Sequence, residues 1–186
     1  MVKKYSNRNQ DNRFVRNYNW LGILVICLLS IPLHFLYEWL GENPVIGVFT
    51  PINESIWEHL KLVFWPLLVW WGVGYLIFKD KKNLSPTRWL TAGTASIFIS
   101  MLFIVGWYYT WVYALETESS IIDIGSLFLA VPLSQLIAIH LYKVVKPRTV
   151  YLVLSSVIVV ILAGLFVWFT FNTPDLPLFI PPSQQT

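Results

Sequence analysis

Charge is what this chain has least of. Asp, Glu, Lys and Arg together make up 12 % of its 186 residues, about half the share of an ordinary soluble domain, and mean hydropathy is +0.60. A soluble globular protein is therefore excluded. The single cysteine, Cys27, rules out a disulfide scaffold, and only 9 glycines rule out a collagen-like chain. A disordered chain is excluded as well, because 56 % of the residues are hydrophobic and 17 % aromatic. There is no internal repeat, no Gly-rich phosphate loop, no nucleophile elbow and no HExxH. What remains is a membrane protein.

Five stretches reach the roughly 20 apolar residues that a membrane-spanning helix needs: 19–40, 51–78, 88–112, 120–143 and 149–171. The expected fold is all-α and polytopic, with a five-helix domain over 19–171, a basic segment over 1–18 and a proline-rich tail over 172–186. The run after residue 18 has no small-residue cleavage site and ends in Tyr37-Glu38-Trp39, so it reads as a retained helix and not a signal peptide. Basic residues set the orientation. Lys3, Lys4, Arg8, Arg13 and Arg16, then Lys79, Lys81, Lys82 and Arg88, then Lys143, Lys146 and Arg148 all fall on one face, leaving only Lys61 elsewhere. This predicts the amino terminus inside and the carboxyl terminus outside. Such short basic segments suit the lipid bilayer and anionic headgroups at the inner face, not nucleic acid. Oligomeric state is not encoded in any of these features.

The acids tell a second story. Glu38, Glu42, Glu54, Glu58, Glu116, Glu118, Asp123 and Asp175 fall on the outer side, and charges inside a span pair, line a cavity or do chemistry. In the first span Ser30, His34, Tyr37 and Glu38 form one stripe, and Pro32 frees a carbonyl within it. The second span is expected to start at Thr50 and Pro51, a good cap and first position, with Glu54 in the first turn. Asn53, Ser55, Glu58, His59 and Lys61 follow. At about 1.5 Å per residue His34 and His59 reach similar depth, Asp123 enters from the outer end of the fourth span, and His140 lies far below, near the inner end.

Several chemistries fit this pattern. His34 and His59 with Glu38 or Glu58 make two imidazoles and a carboxylate, a set that suits zinc with an open fourth position and, with a spare glutamate as base, hydrolysis of a lipid-linked substrate. The same residues read as an outward-facing pocket that binds or translocates a cation or small polar ligand. Structural pairing is the third reading: Glu54 on a helix dipole, Glu58 with Lys61 at i, i+3, and His34 bonded across helices, as in an accessory subunit. The expected pocket is His34, Glu38, Glu54, Glu58, His59 and Asp123, supported by Ser30, Tyr37, Asn53, Ser55 and Lys61. The tail is expected to strap back over the outer face through Leu178 and Phe179.

Pro51-Ile52-Asn53-Glu54-Ser55-Ile56-Trp57-Glu58-His59-Leu60-Lys61, with His34-x-x-Tyr37 upstream and Pro177-Leu178-Phe179 in the tail, resembles an uncharacterised family of small multi-pass membrane proteins of Gram-positive bacteria. The resemblance runs over essentially the whole chain. It implies a bacterial plasma-membrane location and carries no activity.

Overall fold

The computed structural model describes residues 2–111 and 120–184, with the side chains of 2–9, 120–124 and 183 outside the description. Its helices are α1 (Val2–Trp39), α2 (Pro44–Gly47), α3 (Ile56–His59), α4 (Lys61–Phe78), α5 (Pro86–Tyr109), α6 (Ser120–Val144) and α7 (Thr149–Phe171), followed by single 3-10 turns at Pro177–Phe179 and Pro182–Gln184. No strand occurs among the described residues. Five segments are long and apolar enough to cross a membrane: Gln10–Trp39, Ile56–Phe78, Pro86–Tyr109, Gly125–Val144 and Thr149–Phe171. The chain is thus a multi-pass membrane protein by length and composition. Large apolar side chains such as Leu24, Leu28, Leu76 and Val160 stand exposed on these helices, an arrangement that hydrocarbon, not water, accommodates.

Three helix starts differ from the sequence expectation. The first helix begins at Val2 and not near residue 19, so the polar segment continues the span. At about 1.5 Å per residue its 38 residues are longer than the hydrocarbon core is thick, and its first turns protrude. The second span begins at Ile56 and not at residue 51, because Ser55 takes the cap: it is extended (φ −73°, ψ 154°) and its side chain accepts from Glu58 N. Residues 51–55 form a loop instead. In α5, by contrast, Ser85 caps and Pro86 opens the helix, two residues before the expected start. The expected end of the third span at Val112, and the connection containing Glu116, Glu118 and Ser119, lie outside the described residues.

Packing brings α1, α4, α5 and α6 around one core, with α7 laid against α5. The α5–α6 seam is the most extensive and uses small polar groups, Ser96 Oγ lying 3.2 Å from Ser134 Oγ. Across α4 and α5, Trp89 Nε1 donates to Trp71 O at 2.7 Å, and the backbone at Gly93 comes so close that an added Cβ would lie 2.9 Å from the Trp71 ring. These contacts fix the height of α4, and therefore of His59 near its start.

Candidate metal centre

The segment from Tyr37 to Lys61 is shaped by short-range hydrogen bonds. Gly41 (φ +72°) closes α1 in a Schellman turn, with Gly41 N bonded to Glu38 O and Glu42 N to Tyr37 O. Asn43 then caps the four-residue α2 by accepting from Val45 N at 2.9 Å. After Pro51, Asn53 Oδ1 accepts from Ser55 N at 2.9 Å, an Asx turn that leads into the Ser55 cap. Glu54 stands between these two anchored residues, so the turn displays its side chain toward α1.

There it meets the histidines. His34 Nε2 and His59 Nε2 are 3.1 Å apart, and Glu54 Oε2 lies 3.4 Å from the His59 nitrogen and 3.8 Å from the His34 nitrogen. Both imidazoles are nearly enclosed, with 12 % and 11 % of their side chains exposed, whereas Glu54 is 62 % exposed and faces the open side. His59 Nδ1 lies 2.9 Å from Ser55 O. A carbonyl only accepts, so Nδ1 carries the proton and Nε2 presents its lone pair to the group, the tautomer that a metal-binding imidazole adopts. Without an ion, the 3.1 Å separation is a hydrogen bond from His34 Nε2–H to His59 Nε2. When His59 is doubly protonated its Nε2–H donates to Glu54 and holds that carboxyl below its usual range, the charged imidazoles adding to this against the opposing effect of burial. Glu54 is therefore available as a carboxylate.

Glu58 takes a different course. Its Oε2 accepts from Lys61 Nζ at 2.5 Å and from Ile52 N at 3.0 Å. Lys61 is fully buried, and its ammonium also donates to Gly47 O at 2.6 Å and Thr170 Oγ1 at 2.9 Å. All three ammonium protons are used. The i, i+3 pairing expected of Glu58 and Lys61 is present, and the carboxylate that joins the imidazoles is Glu54, not Glu38 or Glu58. The reason is local: the loop at 51–55 turns Glu54 toward α1, and the lysine captures Glu58.

The whole-chain comparison agrees in extent with this continuous architecture. The profile of a family described as a Family of unknown function (DUF6512) matches residues 7–183. The chain belongs to the DUF6512 family. No curated protein and no solved structure matches it.

Around the central group of this DUF6512 chain, the remaining expected residues divide. Tyr37, Glu38, Asn53 and Glu54 line a polar cavity of 190 Å³ together with Glu42 and His34. Asp123 lies on α6, with its side chain outside the described residues. His140 is exposed far along α6 and does not join the group. In the tail, Phe179 is buried against Trp57, their rings 4.9 Å apart, and Leu178 packs on the core. The tail is thus tied to α3.

Ser30 supports the histidines from below, and Pro66 explains how. Proline has no N–H, so Leu62 O, four residues earlier, lacks its helical donor. Ser30 Oγ fills that role at 2.8 Å while also contacting Ile26 O. This bond crosses from α1 to α4 one turn beneath the histidine pair. The sequence signal was a proline inside the second span, and its meaning needed the partner helix. Ser30→Ala is expected to lower stability by about 1–2 kcal/mol, since a buried carbonyl loses its only donor. Thermal unfolding in detergent measures this, and an unchanged melting temperature would show that the crosslink contributes nothing.

Gly47 offers a second check. A Cβ there would sit 2.6 Å from Ile52 Cγ2 and 3.1 Å from the Tyr37 ring, and the isoleucine is β-branched and stiff. Gly47→Ala is expected to cost about 1–3 kcal/mol by overpacking. The same melting assay reads it, with Gly72→Ala, where an added Cβ meets nothing within 4 Å, as the control that stays near wild type.

Proposed function

We propose that this membrane protein holds a divalent metal ion of the zinc class between His34 Nε2, His59 Nε2 and Glu54 Oε2, as a centre that activates water. The observation that carries this reading is the triangle itself. For sides of 3.1, 3.4 and 3.8 Å, the equidistant point lies about 2 Å from each corner, the length of zinc bonds to nitrogen and oxygen. Two neutral imidazoles and one carboxylate also match zinc in ligand type. Three protein ligands leave a fourth position for water, which distinguishes catalytic zinc sites from closed structural ones.

The surroundings favour a fixed centre over a conduit. Below the imidazoles, away from the polar cavity, the space is lined by Leu62, Ile104, Leu127 and Phe128 with only the hydroxyls of Ser30 and Ser126 among them, and no charged side chain among the described residues lines it for a hydrated cation. Water at the fourth position would face the polar cavity, whose wall includes the carboxylate of Glu38 as a base for its proton. The reading places this face outside the cell, on the side opposite the basic connections.

Elemental analysis of the purified chain tests the proposal, with about one zinc per chain expected. Cobalt substitution then reads the coordination. A tetrahedral visible spectrum that shifts on adding azide supports an open position, and a weak octahedral spectrum unaffected by azide overturns it.

A further inference from the structure

Two cavities of opposite character meet at the histidine pair. His34 lines both. On the side of the loop at 51–55 lies the polar cavity, with the carboxylates of Glu38, Glu42 and Glu54 and no Lys or Arg along its wall. The other cavity, of 230 Å³, is lined by His34, His59, Ser30 and Ser126 and otherwise by apolar side chains of α1, α4, α5 and α6. Leu127 and Ile104 close its back, each only 4 % exposed. Its flanks are Ile31 and Phe35 on α1 and Phe128 on α6, which are 48 %, 41 % and 40 % exposed. These residues lie within membrane spans, so this cavity faces lipid between α1 and α6.

A molecule that reaches the imidazoles from the bilayer must therefore be apolar behind them and polar ahead of them. At about 30 Å³ for each water-sized group, the 230 Å³ of the apolar cavity holds about eight such groups, the bulk of a segment of one alkyl chain. The polar side selects for charge. With Glu54 on the metal, the carboxylates of Glu38 and Glu42 outweigh the single positive charge that remains there, so the wall disfavours an anionic head and attracts a cationic one, and the nearby ammonium of Lys61 is committed to Glu58, Gly47 O and Thr170.

We infer that the site binds a single-chain amphiphile with an ammonium-bearing head, its chain between α1 and α6 and its head among Glu38 and Glu42. The junction between chain and head then lies beside His34 and His59. This rests on the proposed metal centre for its chemistry, while the two cavities alone set the shape and charge of the ligand.

Photolabelling of the full chain in zwitterionic nanodiscs tests the inference. Two probes carry the same diazirine-bearing chain, one a long-chain amine and the other a fatty acid, and labelled peptides are mapped by mass spectrometry. The amine is expected to label the Ile31–Phe35 and Leu127–Phe128 segments at least about tenfold more than the acid, because like-charge juxtaposition costs several kcal/mol. Leu127→Trp fills the apolar cavity and is expected to abolish that labelling. Glu38→Gln with Glu42→Gln, which leaves the core untouched, is expected to shrink the preference to about twofold. Equal labelling by both probes, or wild-type labelling of Leu127→Trp, would show annular lipid only and overturn the inference. Zinc is assayed in the same samples: absent zinc with amine-selective labelling overturns the metal reading alone, and bound zinc with head-independent labelling overturns this inference alone.

Discussion

Lys61→Met is expected to destabilise the protein by about 3–5 kcal/mol, the cost of leaving one member of a buried ion pair unpaired. Glu58 is only 3 % exposed, and after the substitution its carboxylate keeps the backbone donor Ile52 N. Gly47 O loses its ammonium donor at the same time, and Thr170 Oγ1 keeps only its own bond to Phe166 O. For a chain of this size such a loss lowers the melting temperature by about 10 °C or more. Replacing both charges, as Glu58→Leu with Lys61→Met, is expected to recover part of the loss, because two buried charges and their desolvation disappear together. A double variant as unstable as Lys61→Met alone would show that the lysine acts through Gly47 and Thr170 rather than through Glu58.

His59→Ala is expected to reduce bound zinc from about one per chain to background. It removes one of three ligand atoms and leaves only His34 and Glu54 to hold an ion. Stability gives an independent reading. An ion that binds only the folded chain contributes about 2.7 kcal/mol at a free concentration one hundred times its Kd. Added zinc should therefore raise the melting temperature of the wild type and leave that of His59→Ala unchanged. Equal zinc-induced shifts in the two proteins would remove His59 from the site. Glu54→Gln keeps the shape of the side chain but weakens the oxygen as a ligand, so its shift should fall between the two.

The spans were legible because apolar length and charge placement are one-dimensional signals. The last span, 149–171, agrees with α7, and the histidines reach equal depth because helical rise is nearly constant. The start of the second span was misread at Thr50 and Pro51, a pair with good capping chemistry of its own. Thr50 instead turns its hydroxyl back to Ile46 O, and Ser55 caps. That choice depends on Lys61 drawing Gly47 and Glu58 together, a contact across 14 residues that no local pattern contains. The identity of the carboxylate followed from the same fold of the loop. Sequence spacing places Glu54 and Glu58 on one helical stripe; the chain instead sends them to different partners.

Lys61 also bears on the order in which the protein is built. The second span enters the membrane long before α7 exists, yet one donor of its lysine is satisfied by Thr170, 109 residues later. An intramembrane lysine costs about 2.5–3.5 kcal/mol at insertion, so the half-made chain carries an unmet demand that only the last helix answers. That helix is the most apolar of the spans, with a hydropathy of 2.8, and only 11 % of it is buried. It inserts readily, and it docks through Thr170, the Phe166–Trp57 contact and the hydrogen bonds of Ser155 to Thr91 and Thr94 on α5. The buried ammonium thus acts as an assembly address, and a chain ending before Thr149 should insert yet stay protease-sensitive at the 51–55 loop.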